Sequence, residues 1–205
     1  ILLPNASGVE YADFVLDPQS QNGLLRDIGS IEPPVARGAA WTTLWEEVQE
    51  GRLAAGLYLD TALRELPAEQ NELIINRVLG TLDESYWLRL DTQPRLAVSG
   101  PLEAMLWREV ESTLRDTSAR AAFYRSYRAL ATTDTGVERI RRRWEGDEEV
   151  AGLPLSEADM SALVSGLALR RVEGSEGRLD EQEARIKNTD RLARYRFVRP
   201  SLSDS

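Results

Sequence analysis

The side chains that most enzymes use for nucleophilic and metal chemistry are missing from this sequence, which has no histidine and no cysteine among its 205 residues. Zinc hydrolases usually bind their metal through imidazoles, and Ser and Cys triads need an imidazole as general base. A glycine-rich phosphate loop, a nucleophile elbow and an H-E-x-x-H motif are also absent from the sequence. The sequence therefore predicts no catalytic residue, no metal ligand and no cofactor in this chain.

Three other kinds of residue cluster could bind a ligand, but their spacing favours structural roles. The tryptophans share helical spacing with Leu and Val, which predicts that most are core residues and not a stacking platform. The arginine run lies among carboxylates, so we expect a solvated helix end whose charges neutralise each other. Adjacent carboxylates on a helix point apart and make a poor calcium site or acid–base pair. These clusters are Trp41, Trp45, Trp87, Trp107 and Trp144; Arg139, Arg141, Arg142 and Arg143; and the pairs Glu46–Glu47, Asp83–Glu84 and Glu148–Glu149.

The composition indicates a folded, acidic domain. Hydrophobic residues make up 42% of the chain, and the formal net charge is −9. Such a surface repels phosphate backbones and anionic lipid headgroups, so neither a nucleic acid nor a membrane is an expected partner. No apolar run reaches the length of a membrane span, and the opening residues lack the pattern of a signal peptide. A chain without cysteine suits reducing and oxidising compartments alike, which leaves cytoplasm and periplasm both open.

The first 17 residues differ in pattern from the rest of the chain. Two short β-prone runs, at 1–4 and 11–16, flank a turn signal at 5–8 and predict a β-hairpin. A hairpin is marginal alone, so we expect this one to belong to a sheet in a preceding β domain. Residues 1–17 are therefore assigned to a hairpin or linker from that domain, and residues 18–205 to a helical domain.

From about residue 23 onward the apolar residues follow the period of an α-helix. The stripe over residues 41–48 predicts a helix that begins at Pro33-Pro34 and ends at Gly51. Similar stripes over 59–66 and 74–82 predict two more helices. Three amphipathic helices in succession indicate antiparallel packing.

The second half of the chain is predicted to hold further helices after a break at 91–100. Ser99-Gly100-Pro101 supplies a cap candidate and a proline for the first turn of the next helix. The later elements are helices at 119–131, at 135–144 with a Thr135/Glu138 capping box, at 156–169 with Ser156/Asp159 in a related role, and at 179–194, followed by an extended or frayed end at 197–205.

The predicted helices pair at a regular interval. Pairs starting near Pro33, Glu69, Pro101 and Thr135 are roughly 32 to 36 residues apart, a period that suits stacked helical hairpins. The predicted fold is therefore all-α: stacked antiparallel helical hairpins in a HEAT/ARM-like superhelical array, preceded by the β-hairpin remnant. A compact, irregular helical bundle is the alternative.

Four stretches of the chain resemble the M1 family of zinc aminopeptidases. The opening segment, from Leu3 to Asp17, resembles the P-N-A-x-G-x-x-Y-x-x-F-x-L-D segment that leads from the last β domain of that family into its C-terminal helical domain. The other stretches occur in the family's order, and the last is similar to an R-I-x-N-P-D-R segment of bacterial members. They are Ala36 to Trp41 with Leu44-Trp45, Leu66 to Asn71, and Ala184 to Arg191, where Thr189 replaces the usual proline.

The resemblance implies a parent enzyme that removes N-terminal residues from peptides. In the family, two His and a Glu bind zinc, and a second Glu activates water, all in an upstream catalytic domain. This chain would be the non-catalytic C-terminal domain, inert alone, that covers the active-site cavity and governs substrate access. Its partners would be the upstream catalytic and β-sandwich domains and the peptide substrate. The family's helical domain usually runs longer, which implies further helices beyond this chain.

Three arginines are candidates for contact with the C-terminus of a peptide substrate, because they lie in or beside the stretches that carry the resemblance. They are Arg37, Arg191 and Arg194. The structural alternative for Arg191 is pairing with Asp190 or capping a helix end. The alternative for the whole chain is a free-standing HEAT-like scaffold that binds a peptide or a protein partner along a concave face.

Overall fold

A computed structural model describes residues 3–4, 6–7 and 14–202 of the chain. These residues form α-helices joined by short loops and contain no β-strand, which confirms the predicted all-helical array. A superhelical, HEAT-like course of the array stays a prediction. The helices are α1 (Pro18–Asp27), α2 (Pro34–Gln49), α3 (Ala55–Glu65), α4 (Glu72–Glu84), α5 (Thr92–Glu111), α6 (Thr117–Leu130), α7 (Asp134–Glu145), α8 (Glu157–Leu169), α9 (Ser175–Arg185) and α10 (Thr189–Val198).

The β-hairpin predicted over residues 1–17 lies largely outside the described residues. Of those that are described, Ala6 and Ser7 lie in a turn, and residues 14–17 have no regular secondary structure. Helix begins at Pro18 because the side chain of Asp17 accepts hydrogen bonds from the backbone N–H groups of Gln19 (2.9 Å) and Ser20 (3.0 Å).

The chain divides into two compact units, Ile1–Ser126 and Tyr127–Ser205, and the division falls within α6. In the first unit, α2 packs against α1, α3 and α4, and α3 packs against α5. In the second unit, α8 packs against both α7 and α9, and α10 packs against α9. A short π-helical turn at Ser85–Arg89 follows α4 directly.

An aromatic cluster forms the centre of the first unit. The ring of Tyr58 lies 5.6 Å from both Trp41 and Trp45, and its hydroxyl lies 2.7 Å from the hydroxyl of Thr81. Burial raises the pKa of Tyr58 to about 12. Both indoles are buried, as are those of Trp107 and Trp144. The prediction that most tryptophans are core residues is therefore confirmed, and Trp87, at 39% exposure, is the exception.

A buried network of charged groups connects distant segments of the first unit. The guanidinium of Arg115 donates to Glu109 (2.9 Å) and to the backbone carbonyls of Leu66 (2.9 Å), Pro67 (3.0 Å) and Glu69. The three carbonyls belong to the loop after α3. One arginine therefore ties that loop to the end of α5.

The break predicted over residues 91–100 is wrong, because these residues form the first half of α5. Pro101 lies inside that helix. It removes one backbone hydrogen bond, but the helix continues through it, with Ser99 buried before it and most of residues 102–110 buried after it. Ser99, predicted as a cap, is itself buried, and its hydroxyl donates to the carbonyl of Arg95 one turn earlier (2.7 Å) while lying 2.6 Å from the hydroxyl of Tyr86.

The predicted capping box at Thr135 is also wrong, because the helix begins one residue earlier. Thr133 has an extended backbone and accepts a hydrogen bond from the N–H of Gly136 (3.0 Å), which makes it the N-cap of α7. In contrast, the box at Ser156 is confirmed, since Ser156 and Asp159 exchange hydrogen bonds at 3.0 and 3.2 Å.

The C-terminal region is more helical than predicted. The single helix expected over 179–194 is interrupted at Ile186–Asn188, because Asn188 caps a new helix by accepting from the N–H of Arg191 (3.0 Å). Residues 197–205 were expected to form an extended or frayed end, and up to residue 202 the extended alternative is wrong. There α10 continues to Val198 and into a 3₁₀ turn at Arg199–Ser201, whose Arg199 pairs with Asp180 and Glu183 of α9.

Candidate functional site

A groove of about 610 Å³ runs between α8 and α10 in the second unit. The two helices supply the long sides, and the end of α6 supplies one further wall. Four arginines and no acidic residue line it, although the chain as a whole carries a charge of −9. The lining residues are Arg128, Ala129, Ala158, Ser161, Ala162, Ser165, Gly166, Leu169, Arg170, Arg191, Arg194, Tyr195, Val198 and Leu202.

The two faces of α8 explain why the groove is open. One face, with Leu163, Val164 and Leu167, is buried, as the sequence predicted, whereas Met160 on the same stripe is only partly buried. The groove face carries small residues at a spacing of three and four, among them Ala162 and Gly166. Small side chains leave room above a helix backbone, so the groove follows from the sequence of α8.

The groove side of α8 is fixed at its N-terminus by Asp159. Its carboxylate bonds to Ser156 in the capping box and pairs with Arg128 of α6 at 3.1 Å. Burial alone would raise the pKa of Asp159, but the hydrogen bonds from Ser156 and the charge of Arg128 hold that pKa below its usual range. The guanidinium of Arg128 therefore reaches the groove with its charge already partly neutralised.

The position of α10 depends on contacts with α9. The Tyr195 hydroxyl donates to the carbonyl of Leu179 (3.1 Å), and burial raises the pKa of this tyrosine to about 12. Ion pairs from Arg196 and Arg199 to Glu183, at 2.8 and 3.2 Å, tie the outer face of α10 to the same helix. These contacts leave the face of Arg191 and Arg194 turned to the groove.

The four arginines of the groove differ in how many of their donors are engaged. Arg170 donates to the backbone carbonyls of residues 128, 129, 131 and 166, so it caps the end of α6. Arg191 is 53% exposed and lies 3.4 Å from Glu157. Arg194 is exposed and has no hydrogen-bond or ion-pair partner among the described residues. Arg194, with Arg191 beside it, is therefore the cation that an incoming anion could reach.

The carboxylate of Glu157 bonds mainly to a backbone N–H in the turn before α10 and only weakly to Arg191. Its carboxylate accepts the backbone N–H of Lys187 at 2.8 Å, and this bond, followed by the bond from Arg191, holds its pKa below the usual range. Glu157 therefore connects α8 to the turn before α10. The predicted pairing of Arg191 with Asp190 is not the contact that the structure contains; Glu157 takes that place.

Arg37, the third candidate from the sequence, belongs to the first unit and is engaged there. Its Nε and Nη2 atoms donate to the two carboxylate oxygens of Glu69 at 2.6 and 2.9 Å, and Nη1 donates to the carbonyls of Ile31 (2.5 Å) and Glu32 (3.2 Å). With every guanidinium nitrogen in use, Arg37 has a structural role. The structure thus brings together Arg191 and Arg194 in the second unit, whereas Arg37 belongs to the first.

The arginine run of α7 neutralises itself, as predicted. Arg139 pairs with Glu148 (2.9 Å), and Arg141 pairs with Glu138 and Glu145. Arg143 is buried and donates to the backbone carbonyls of Glu148 (2.9 Å) and Leu153 (3.2 Å). The mutual neutralisation is confirmed for Arg139 and Arg141, but the expected solvated helix end is wrong at Arg143, which is 4% exposed and bonds to backbone carbonyls.

Two of the groove's arginines, Arg128 and Arg170, were not singled out from the sequence. Neither lies in a stretch that carries the family resemblance, and their neighbours in the groove are 31 to 42 residues away in the chain. The one available signal was the run of small residues on the face of α8 opposite its apolar stripe.

The described residues contain no group of three or more acidic side chains that could hold a metal ion. None of the helices in this part of the chain combines the length and apolar character needed to cross a bilayer.

Comparison with known proteins adds no assignment. No family model matches the chain, and no curated protein matches it. The function that follows therefore rests on the groove and on the residues that resemble the M1 family.

Proposed function

We propose that this chain is the non-catalytic helical domain of a zinc-dependent aminopeptidase, and that the groove between α8 and α10 holds the C-terminal part of a peptide substrate. The observation that carries the proposal is the exposed Arg194, without a partner among the described residues, beside the weakly held Arg191 in a groove that no acidic residue lines. Arg191 ends one of the stretches that resemble the family.

The chemistry of the groove suits a carboxylate. A guanidinium can donate two parallel N–H bonds to the two oxygens of a carboxylate, and such charge-assisted bonds are stronger than neutral ones. No acidic residue lines the groove, and the two carboxylates beside it, Asp159 and Glu157, pair with Arg128 and Arg191 and leave Arg194 without a partner among the described residues. A peptide's terminal carboxylate could therefore be held by Arg194, with Arg191 adding charge after release from Glu157.

The groove also offers apolar surface for side chains of the bound segment. Leu169 is 69% exposed and Val198 is 40% exposed, and both line the groove at the C-terminal ends of α8 and α10. Exposed apolar residues grouped in a groove favour ligand binding, whereas scattered ones need no explanation. A short peptide with apolar residues before a free carboxylate fits both features.

Zinc chemistry belongs, in this proposal, to another part of the parent enzyme. The chain has no histidine or cysteine, and its described acidic residues form no metal-binding group. Zinc bound upstream would activate water for hydrolysis of the N-terminal peptide bond. The role of this chain is to hold and admit the peptide. Alone, it is expected neither to bind stoichiometric zinc nor to cleave aminoacyl amides.

A calorimetric titration with two versions of one short peptide tests the groove. The peptide ends in Ala-Leu, once with a free carboxylate and once as the amide. Loss of a charge-assisted contact weakens binding by about tenfold or more, so we expect that loss for the amide and for Arg194→Gln. Arg196→Gln is the matched control, because Arg196 lies on the same helix, is 61% exposed and pairs with Glu183 outside the groove.

The outcomes separate the two candidate functions. If the free and amidated peptides bind equally, and only substitutions of the apolar residues Leu169 and Val198 weaken binding, the result would support the free-standing peptide-binding scaffold. If neither peptide binds, the groove is not a peptide site in either function. The parentage has a separate test: the full-length gene product should contain stoichiometric zinc and release N-terminal residues, and a metal-free, inactive product would refute it.

A further inference from the structure

A second, smaller cavity lies in the first unit between α4 and α6, with a volume of about 190 Å³. The lining residues of α4 are Asn76, Leu79, Gly80 and Asp83, whose spacing of three to four places them on one face of the helix. The lining residues of α6 likewise share one helix face. Since each water takes ~30 Å³ in the liquid, the cavity has room for about six waters. This space is enough for a very small organic ligand. The residues from α6 are Ala122, Arg125 and Ser126.

Asp83 lines this cavity without a compensating cation. It has no ion pair or hydrogen bond among the described residues, although its sequence neighbour Glu84 pairs with Arg89 at 2.9 Å. Burial raises the pKa of Asp83. The residue as a whole is nevertheless exposed, so a ligand can reach it. A carboxylate without a partner at the wall of a cavity is stabilised by an ammonium group at that position.

Arg125 supplies the opposite charge from the other helix. It is exposed, and within the described structure it pairs neither with Asp83 nor with any other residue. The Ser126 hydroxyl can donate or accept beside it. Asn76 uses its amide nitrogen to donate to the carbonyl of Glu72 (2.9 Å), which leaves its side-chain oxygen as a further acceptor. The apolar lining, Leu79 and Ala122, lies between these polar groups.

We propose that this cavity binds a free α-amino acid as its zwitterion. The ammonium group pairs with Asp83, the carboxylate pairs with Arg125, and a small or medium apolar side chain contacts Leu79 and Ala122. A zwitterion presents both charges within one very small molecule, which matches two unpaired and opposite charges at the walls of one small cavity. This site is independent of the proposed function, because it lies in the first unit and shares no residue with the α8–α10 groove.

Titration of the chain with three related ligands tests the charge requirement. The probes are L-leucine, N-acetyl-L-leucine, which lacks the ammonium group, and L-leucinamide, which lacks the carboxylate. We expect L-leucine to shift the amide resonances of Leu79 and Ala122 and each blocked ligand to bind about tenfold more weakly or worse, since each loses a charge-assisted contact.

Variants of the cavity distinguish a built site from general surface binding. Asp83→Asn and Arg125→Gln should each weaken L-leucine binding about tenfold or more. Gly80→Leu should abolish L-leucine binding while both charges are kept, because the new side chain fills the cavity that the ligand would occupy. A Cβ on Gly80 meets no other heavy atom within 4 Å, so the larger side chain fits there without a clash. The gain in helix propensity at this exposed position favours folding of that variant. Glu84→Gln and Arg77→Gln, on the same part of the chain but outside the lining, are the controls.

The proposal is overturned if L-leucine causes no shift at millimolar concentration, if the acetylated or amidated forms bind as well as the free amino acid, or if Gly80→Leu binds normally. Binding of the C-terminal peptide to Arg194 should be unchanged in all three cavity variants. A failure here therefore leaves the proposed function standing, and a failure of the groove test leaves this site standing.

Discussion

Replacing Glu69 by Gln should destabilise the first unit far more than an ordinary surface substitution. The Glu69 carboxylate accepts four hydrogen bonds: two from Arg37 at 2.6 and 2.9 Å, and one each from the backbone N–H groups of Gln70 (2.9 Å) and Asn71 (2.8 Å). Three of these converge on one oxygen, which the amide oxygen of Gln can replace. The remaining oxygen faces Arg37 Nε, and an amide NH₂ there sets a donor against a donor.

The size of the effect follows from the burial of the pair. Breaking a fully buried ion pair costs about 3–5 kcal/mol, because the remaining charge is left without a partner. The side chain of Glu69 is only 6% exposed, but that of Arg37 is 15% exposed and keeps its bonds to the carbonyls of Ile31 and Glu32. We therefore expect a loss of about 2–3 kcal/mol in the free energy of unfolding at pH 7.

Urea unfolding followed by tryptophan fluorescence measures this loss, since four of the five indoles belong to the first unit. Glu84→Gln is the control, because its ion pair with Arg89 is nearer the surface, with both side chains 35% exposed, and should cost no more than about 1 kcal/mol. A loss for Glu69→Gln no larger than that of the control would refute the reasoning about burial.

The pH dependence of the same difference gives a second test. Burial tends to raise the pKa of Glu69, but hydrogen bonds from Arg37 and the backbone outweigh it and hold the pKa below its usual range. A group with a lowered pKa in the folded state stabilises the protein above its unfolded pKa and loses that contribution as the pH falls through the folded value. The difference in free energy of unfolding between wild type and Glu69→Gln should therefore be largest at neutral pH. It should shrink as the pH falls below the ordinary pKa of a glutamic acid.

Two further substitutions test helix α5 and helix α8. Pro101→Ala restores a backbone N–H inside α5 at an exposed position and should stabilise the chain by about 1–2 kcal/mol in urea unfolding. The gain is smaller than the full ~3 kcal/mol cost of an interior proline, because proline also restricts the unfolded chain. A loss of stability would mean that the helix needs the proline. Ser156→Ala removes the capping box of α8 and should cost about 1 kcal/mol, whereas Ser118→Ala, in the exposed first turn of α6, should cost a few tenths at most.

Local signals in the sequence predicted much of the fold. Apolar stripes predicted α2, α3 and α4, and the Ser156/Asp159 spacing predicted the start of α8, because these features depend on residues within a few positions of each other. The same local reasoning failed at Ser99-Gly100-Pro101, a helix-start pattern that lies in the middle of α5, where Ser99 is buried and bonds to Tyr86 instead of capping a helix. Thr133 and Thr135 could each cap α7, and their spacing alone does not choose between them.

The candidate sites were less predictable than the helices, because each depends on contacts between distant segments. Arg191 and Arg194 are candidates from one stretch of sequence, but the wall of the groove that faces them comes from α8, roughly 30 residues earlier. The sequence groups Asp83 only with its neighbour Glu84, whereas Arg125, at the other wall of the same cavity, lies on a different helix. A pattern within one segment cannot show which other segment will face it.

The contacts of Arg115 bear on how the first unit opens in solution. Its guanidinium holds three carbonyls of the loop after α3 together with a carboxylate of α5, so that loop cannot leave its place without uncovering a buried charge. The amide protons of Gln70 and Asn71, which bond to Glu69 in that loop, should thus exchange with solvent through a joint opening of several elements and not through local fraying. A loop at the surface of a helical protein would then be as slow to exchange as the helices it connects.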